Sequence, residues 1–206
     1  MEHETLWQQQ ARRDPRQARN YIERFAQLRE SGEDLDGEAR FLDAVLPRGA
    51  RVLDAGCGTG RVGGALAARG HHVTGVDLDR ELLGAARIDH PDSRWMQGNL
   101  ETLELLDRSG NQETFDGVIC PGNVLAFVAP GTAGKVLRSL AAHLAPGGRV
   151  VVGFSPLKGY SVASFETDAA AAGLGITARF SSWDMRSITP GADFVVALLD
   201  PEQTVN

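Results

Sequence analysis

The chain has 206 residues, 42% of them hydrophobic and 23% charged, with a formal net charge of −6. That length supports a core of useful size, so a single domain is expected, and the acidic balance argues against a broad nucleic-acid footprint, which needs clustered Lys and Arg. Two distant cysteines, Cys57 and Cys120, suggest neither a disulfide scaffold nor a zinc site. No apolar run approaches the ~20 residues that span a bilayer, and the polar N-terminal stretch lacks the apolar core of a signal peptide. A cytoplasmic, reduced protein is expected.

In chain order, Asp14-Pro15 reads as an N-cap followed by proline at the first helical position. Tyr21, Ile22, Phe25 and Leu28 then recur at helical spacing, and Gly32 ends the run. Asp36 is placed to cap a second helix, with Phe41, Leu42, Val45 and Leu46 on one face. After Pro47-Arg48-Gly49 the pattern changes. Strands are expected at 51–54, 72–77, 94–97, 115–120 and 149–154, and helices at 61–69, 80–87 and from Thr132 to Leu144. Pro146-Gly147-Gly148 reads as the turn into the fifth strand. A helix at 162–172 follows, then strands at 176–183 and 192–199 joined through Thr189-Pro190-Gly191 as a hairpin.

Strands alternating with helices predict an α/β fold: a Rossmann-like doubly wound sheet, mostly parallel, of about seven strands with a C-terminal hairpin. The expected organisation is one domain over 1–206. Residues 1–46 form a helical cap covering the cleft, 50–154 a cofactor-binding core, and 155–206 the final helix and hairpin.

"VLDAGCGTGRVG", residues 52–63, carries two overlapping glycine patterns. Gly58-Thr59-Gly60-Arg61-Val62-Gly63 fits the dinucleotide fingerprint. Asp54 with Gly56, Gly58 and Gly60 fits D-x-G-x-G-x-G. Glycine lets a backbone turn sharply and approach a ligand closely, and the helix that follows brings unpaired N–H groups. Asp77 ends the next strand 21 residues after Gly56, where a carboxylate grips a ribose. To this point NAD and any other adenosine cofactor fit equally. Asp54 breaks the tie, because a carboxylate before the first glycine repels pyrophosphate and suits an ammonium and a sulfonium. About fifty residues after Phe154 also leave little room for a second mononucleotide half.

The chain resembles the class I S-adenosylmethionine-dependent methyltransferases, closely over about 51–154 and loosely in the tail. "VLDAGCGTG" (52–60) resembles their motif I, "VTGVDLD" (73–79) their ribose-binding strand end, and "LAPGGRVVV" (144–152) their fifth-strand motif. The resemblance implies that Gly56, Cys57, Gly58 and Gly60 pass under the amino-acid part of S-adenosylmethionine. It implies that Asp54 orients the loop or the methionine amine, that Asp77 holds the ribose hydroxyls, and that Leu78 packs on the adenine. Asn99, beside Leu100, stands where the family often has an Asp that accepts from the adenine amine. Pro121, Gly122 and Asn123 fall beside the sulfonium and the methyl group, with Asn123 placed to accept from the amine or touch the substrate. On this reading the G-x-G-x-x-G match is the accident, because Gly63 lies inside the helix.

The expected activity is in-line transfer of a methyl group from S-adenosylmethionine to a small-molecule acceptor, leaving S-adenosylhomocysteine. No catalytic residue is identified, no metal and no nucleic-acid or membrane partner are expected, and the "PGNVLAF" segment departs from an Asn-Pro-Pro-Tyr type motif. The alternatives are an NAD(H)-dependent oxidoreductase and a non-catalytic S-adenosylmethionine-binding protein. Adjacent His71 and His72 point to opposite faces of an extended chain and make a surface turn rather than a metal pair. Tyr21 and Phe25 are expected in the core, with a lid over the cofactor as the other reading. Trp183, Asp184 and Arg186 lie in a loop that either borders the substrate or is solvated.

Overall fold

The computed structural model describes residues 3–202. Three N-terminal helices, α1 (Leu6–Arg13), α2 (Gln17–Glu30) and α3 (Gly37–Val45), lead into β1 (Arg51–Ala55). Then come α4 (Arg61–Ala68), β2 (His72–Asp77), α5 (Arg80–Asp89), β3 (Arg94–Gln97) and β4 (Phe115–Cys120). The chain continues through α6 (Val124–Phe127), α7 (Ala133–Ala142), β5 (Leu144–Phe154), α8 (Val162–Ala171), β6 (Leu174–Phe180) and β7 (Val195–Pro201).

The strands form one sheet in the order β3-β2-β1-β4-β5-β7-β6. The first five pair in parallel, and β7 runs antiparallel to both β5 and β6. This is the expected Rossmann-like α/β architecture, with the final strand inserted between its hairpin partner and the parallel part. The chain order reverses between β1 and β4, which opens a crevice at their C-terminal ends.

Alternating side chains divide the core in two. Val52, Ile119 and Val151 face α3, α4 and α5, while Leu53, Val118 and Val150 face α7 and α8. All six are fully buried, which is why these strands read as continuous apolar runs. Among the described residues no helix is long and apolar enough to cross a membrane.

Four boundaries differ from expectation. Asp14 does not start α2; it ends α1, and its Oδ1 accepts from the backbone N–H of Arg16, the residue immediately before α2. The cap that starts α1 is a reciprocal Thr5–Gln8 pair. Asp36 precedes α3 without capping it, because its carboxylate is turned to Arg69 at 3.0 Å. Pro146-Gly147-Gly148 is an irregularity within β5 rather than a turn before it: pairing with β4 jumps from Phe115↔Leu144 to Gly117↔Arg149. The last two strands are shifted because the loop between them turns Trp183 inward, against Phe41 and Phe194 at 5.8 and 6.2 Å.

One indole sets how closely β1, β2 and α4 approach. Trp95 of β3 is buried, and its Nε1 donates to the His90 carbonyl. A Cβ at Gly60 or Gly63 would lie 2.8 Å from its ring, and a Cβ at Gly75 of β2 only 2.2 Å. Gly63 lies inside α4 as expected, and it is the position where that helix meets the sheet without room for a methyl group. Gly75→Ala is expected to destabilise the fold by about 1–3 kcal/mol through overpacking. Gly84→Ala, in α5 with open space around it, should instead stabilise by roughly 0.4–1 kcal/mol. Denaturant unfolding of both variants checks the pair.

Candidate functional site

The cavity at the β1–β4 crevice holds about 990 Å³ of empty space, solvent at its mouth included. Its floor is the segment after β1. Asp54, Gly56, Cys57 and Gly58 line it, with Asp77 and Leu78 from the end of β2. Asn99 and Leu100 enter after β3, and Pro121 and Gly122 after β4. Ten of the twelve expected positions thus share one cavity. Gly60 does not reach it; it caps α4 at φ +73°, pressed on Trp95. Asn123 also stands off the wall, with its Oδ1 accepting from the Ser155 backbone N–H at 2.6 Å and tying the end of β4 to β5.

The glycine segment folds back on the protein. Gly56 N–H and Cys57 N–H both donate to the Val76 carbonyl, at 2.8 and 3.0 Å. Gly58 N–H donates to Asp77 Oδ2 at 2.8 Å, and Gly60 N–H to the Cys57 carbonyl at 2.9 Å. Gly63 N–H, an otherwise orphaned donor in the first turn of α4, is taken by Asp54 Oδ2 at 2.9 Å. Five of the N–H groups between Gly56 and Gly63 are thus held inside the fold, beside two carboxylates, Asp54 and Asp77, that disfavour a phosphate. Positive φ at Gly56 and Gly58, +77° and +54°, gives the loop this path.

Asp54 is fully buried, and its second oxygen, Oδ1, has no hydrogen-bond partner among the described residues. Burial disfavours its charged form, and the Gly63 bond only partly offsets that, so its pKa is pushed up to about 7. Burial also raises Asp77, although Asp79 N–H and Gly58 N–H hold its two oxygens. A buried carboxylate with an unpaired oxygen, on a residue that lines the cavity, matches a ligand that brings a positive charge. An amino-acid ammonium or a sulfonium fits this donor set, and a pyrophosphate does not.

Of the other cavity residues, Trp7 and Thr5 carried no recognised sequence signal, and Tyr21 was read as core or as part of a lid. Trp7 and Thr5 of the N-terminal segment and Tyr21 of α2 line the wall. Trp7 Nε1 donates to Asp79 Oδ2 at 2.9 Å, and its ring meets Tyr21 edge to face at 5.9 Å. Tyr21 leans on Phe25 at 4.7 Å, whose ring carries the Arg61 guanidinium at 5.2 Å. Arg61 is in turn paired with Glu38 at 2.6 Å and bonded to the Leu35 carbonyl. Tyr21 is thus a wall of the cavity rather than core. The Thr5–Gln8 capping box was the available signal for α1, and with it for Trp7.

Several candidates fall away. Asp184 and Arg186 pair with each other in an exposed turn, and Trp183 packs on Gly153 and Phe41. His71 is buried against Asp43 at 3.0 Å while His72 is exposed. Among the described residues no group of three or more His, Cys, Asp or Glu side chains could hold a metal ion.

Comparison with known proteins places this geometry. The methyltransferase domain family matches residues 52–148. A TehB-like SAM-dependent methyltransferase from Corynebacterium glutamicum superposes with a TM-score of 0.86 at 37% identity, over 92% of this chain and 100% of that one. A ubiquinone biosynthesis O-methyltransferase from Aeromonas salmonicida is 30% identical over 64% of this chain and 59% of its own length. A malonyl-[acyl-carrier protein] O-methyltransferase from Pectobacterium atrosepticum is 43% identical over 41% of this chain and 32% of its own. The chain thus spans less than two thirds of the length of these two curated relatives.

The raised pKa of Asp54 has a consequence for stability. The folded state holds a proton on Asp54 up to about pH 7, while the unfolded chain loses it near pH 4. Protonation therefore favours the fold below that window, and stability falls as pH rises from 4 to 7. Asp77 adds the same sign. In chemical unfolding across that range, Asp54→Asn should lose stability less steeply than the parent chain; parallel slopes would contradict the assignment.

Proposed function

The chain belongs to the class I S-adenosylmethionine-dependent methyltransferases, and from that premise we propose that it binds S-adenosylmethionine in the β1–β4 cavity and methylates a small molecule. The bound cofactor supplies a methyl group on a sulfonium, an excellent leaving group, so the protein mainly has to hold the reacting atoms in line.

The observation that carries this reading is the unpaired Asp54 oxygen beneath a glycine loop edged by a second carboxylate, Asp77. Asp54 receives the ammonium of the methionine part. Asp77 keeps acceptor capacity beside its two backbone bonds and takes the ribose hydroxyls. Leu78 and Leu100 flank the adenine. Asn99 Oδ1 accepts from Glu101 N–H at 2.9 Å and keeps a second lone pair for the adenine amine. Pro121 and Gly122 border the methyl group. Asn123 acts at one remove, by fixing the end of β4 to Ser155. A small molecule rather than a nucleic acid suits a net charge of −6 and a wall with Trp7, Phe127 and Val128 on it.

Calorimetric titration separates this reading from a nicotinamide enzyme. S-adenosylhomocysteine should bind, and NADH should give no heat of binding; the reverse result would overturn the proposal. Asp77→Ala is expected to weaken S-adenosylhomocysteine binding by about 1.5–3 kcal/mol, the worth of hydrogen bonds to a charged group. Unchanged affinity in a folded variant would remove Asp77 from the ribose.

A further inference from the structure

The cavity also constrains the acceptor. Beyond the end of β4 its wall is apolar: Pro121, Val124, Phe127 and Val128 on one side, Trp7 on the other. The Trp7 and Phe127 rings meet edge to face at 6.4 Å. An acceptor whose attacking atom carries a proton needs a base here, within hydrogen-bond reach. Each ionisable side chain on the described wall is disqualified for its own reason. Arg61 has no lone pair to give and is held by Glu38. Burial raises both the Tyr21 phenol and the Cys57 thiol, so both keep their protons near neutral pH. Asp77 is fixed by Gly58 N–H and Asp79 N–H at the ribose end. Asp54 is under the glycine loop, with one oxygen on Gly63 and the other committed to the ammonium.

Resting on the function proposed above, we infer that the methyl acceptor is a small apolar thiol that reacts as its thiolate. Its proton is lost to water before entry, so no base is required. The wall also selects among anions. The oxygen of a carboxylate or phenolate is strongly hydrated, and moving it from water to a wall of Val124, Phe127 and Val128 is costly. A thiolate carries its charge on a large, polarisable sulfur and is itself the nucleophilic form. In the transfer, a sulfur lone pair forms the new bond to the methyl carbon. The carbon–sulfonium bond breaks with its electron pair remaining on the departing sulfur. An anion and a cation become two neutral thioethers, and no proton moves within the cavity. This charge cancellation is favoured by an apolar wall.

The test uses the full chain with S-adenosylmethionine and probes of matched shape: thiophenol, the more acidic 4-nitrothiophenol, phenol and benzoate, each against its enzyme-free rate. Thiophenol should be methylated roughly a hundredfold or more faster than phenol, the scale of a missing general base, and benzoate should not be turned over. With saturating cofactor, the rising limb of the pH profile should move to lower pH when 4-nitrothiophenol replaces thiophenol, by the difference in acidity of the two thiols. A limb that stays in place would identify a base on the protein and overturn the inference. So would phenol or benzoate reacting as fast as thiophenol. A sample that binds S-adenosylhomocysteine but methylates neither thiol overturns the acceptor class and leaves the cofactor reading standing. A sample that binds no S-adenosylhomocysteine overturns both.

Discussion

The hydrogen bond from Gly63 N–H to Asp54 is the joint on which the site is built. It ties the end of β1 to the first turn of α4 at 2.9 Å, across the glycine segment. A carboxylate can sit there, fully buried, because a helix N-terminus offers it a donor and a favourable dipole. The approach is possible only because residue 63 has no side chain: a Cβ would lie 3.0 Å from the Asp54 carboxylate and closer still to Trp95 and Val73. One residue choice thus allows both the packing and the bond. The second Asp54 oxygen is left for a ligand, and burial makes that oxygen costly to leave unpaired.

The rest of the site inherits its position from this joint. With the N–H groups of Gly56, Cys57, Gly58 and Gly60 bonded to Val76, Asp77 and Cys57, the segment becomes a floor with acidic edges. The N-terminal helices close over it through a relay of contacts: Trp7 on Asp79, Tyr21 on Trp7 and Phe25, Arg61 against Phe25 and Glu38. Asp79 belongs to both systems. Its Oδ2 accepts from Trp7, its Oδ1 caps α5, and its N–H holds Asp77. The N-terminal cover is therefore fastened two residues from the carboxylate proposed for the ribose.

Local chemistry accounts for what could be read from the residues and what could not. The parallel strands were legible because burial on both faces demands unbroken apolar runs, as in 115–120 and 149–154. Asp54, Asp77 and Asn99 were legible because each ends or follows a strand beside a turn. Gly63 was legible as a helical position, but its packing role was not, since that rests on Trp95, a partner 32 positions away that no local pattern names. Trp7 and Tyr21 reach the cavity only through the packing of α1 and α2 on the sheet's C-terminal edge, which helical spacing does not encode. Asn123 was singled out because it follows β4; its oxygen accepts from Ser155 N–H at the end of the neighbouring strand β5, a pairing that only the tertiary fold brings together. Trp183 was drawn out of its loop by Phe41 and Gly153 for the same kind of reason.

The account turns on Asp54 giving up a proton when a cationic ligand arrives. Near pH 6 a carboxylate with a pKa of about 7 is mostly neutral, and an ammonium favours its ionised form. S-adenosylhomocysteine should then bind with release of up to one proton, read by calorimetry as a binding heat that varies with the buffer's ionisation enthalpy. That variation should vanish in Asp54→Asn. Binding heats independent of the buffer at pH 6 in the parent chain would contradict the central claim.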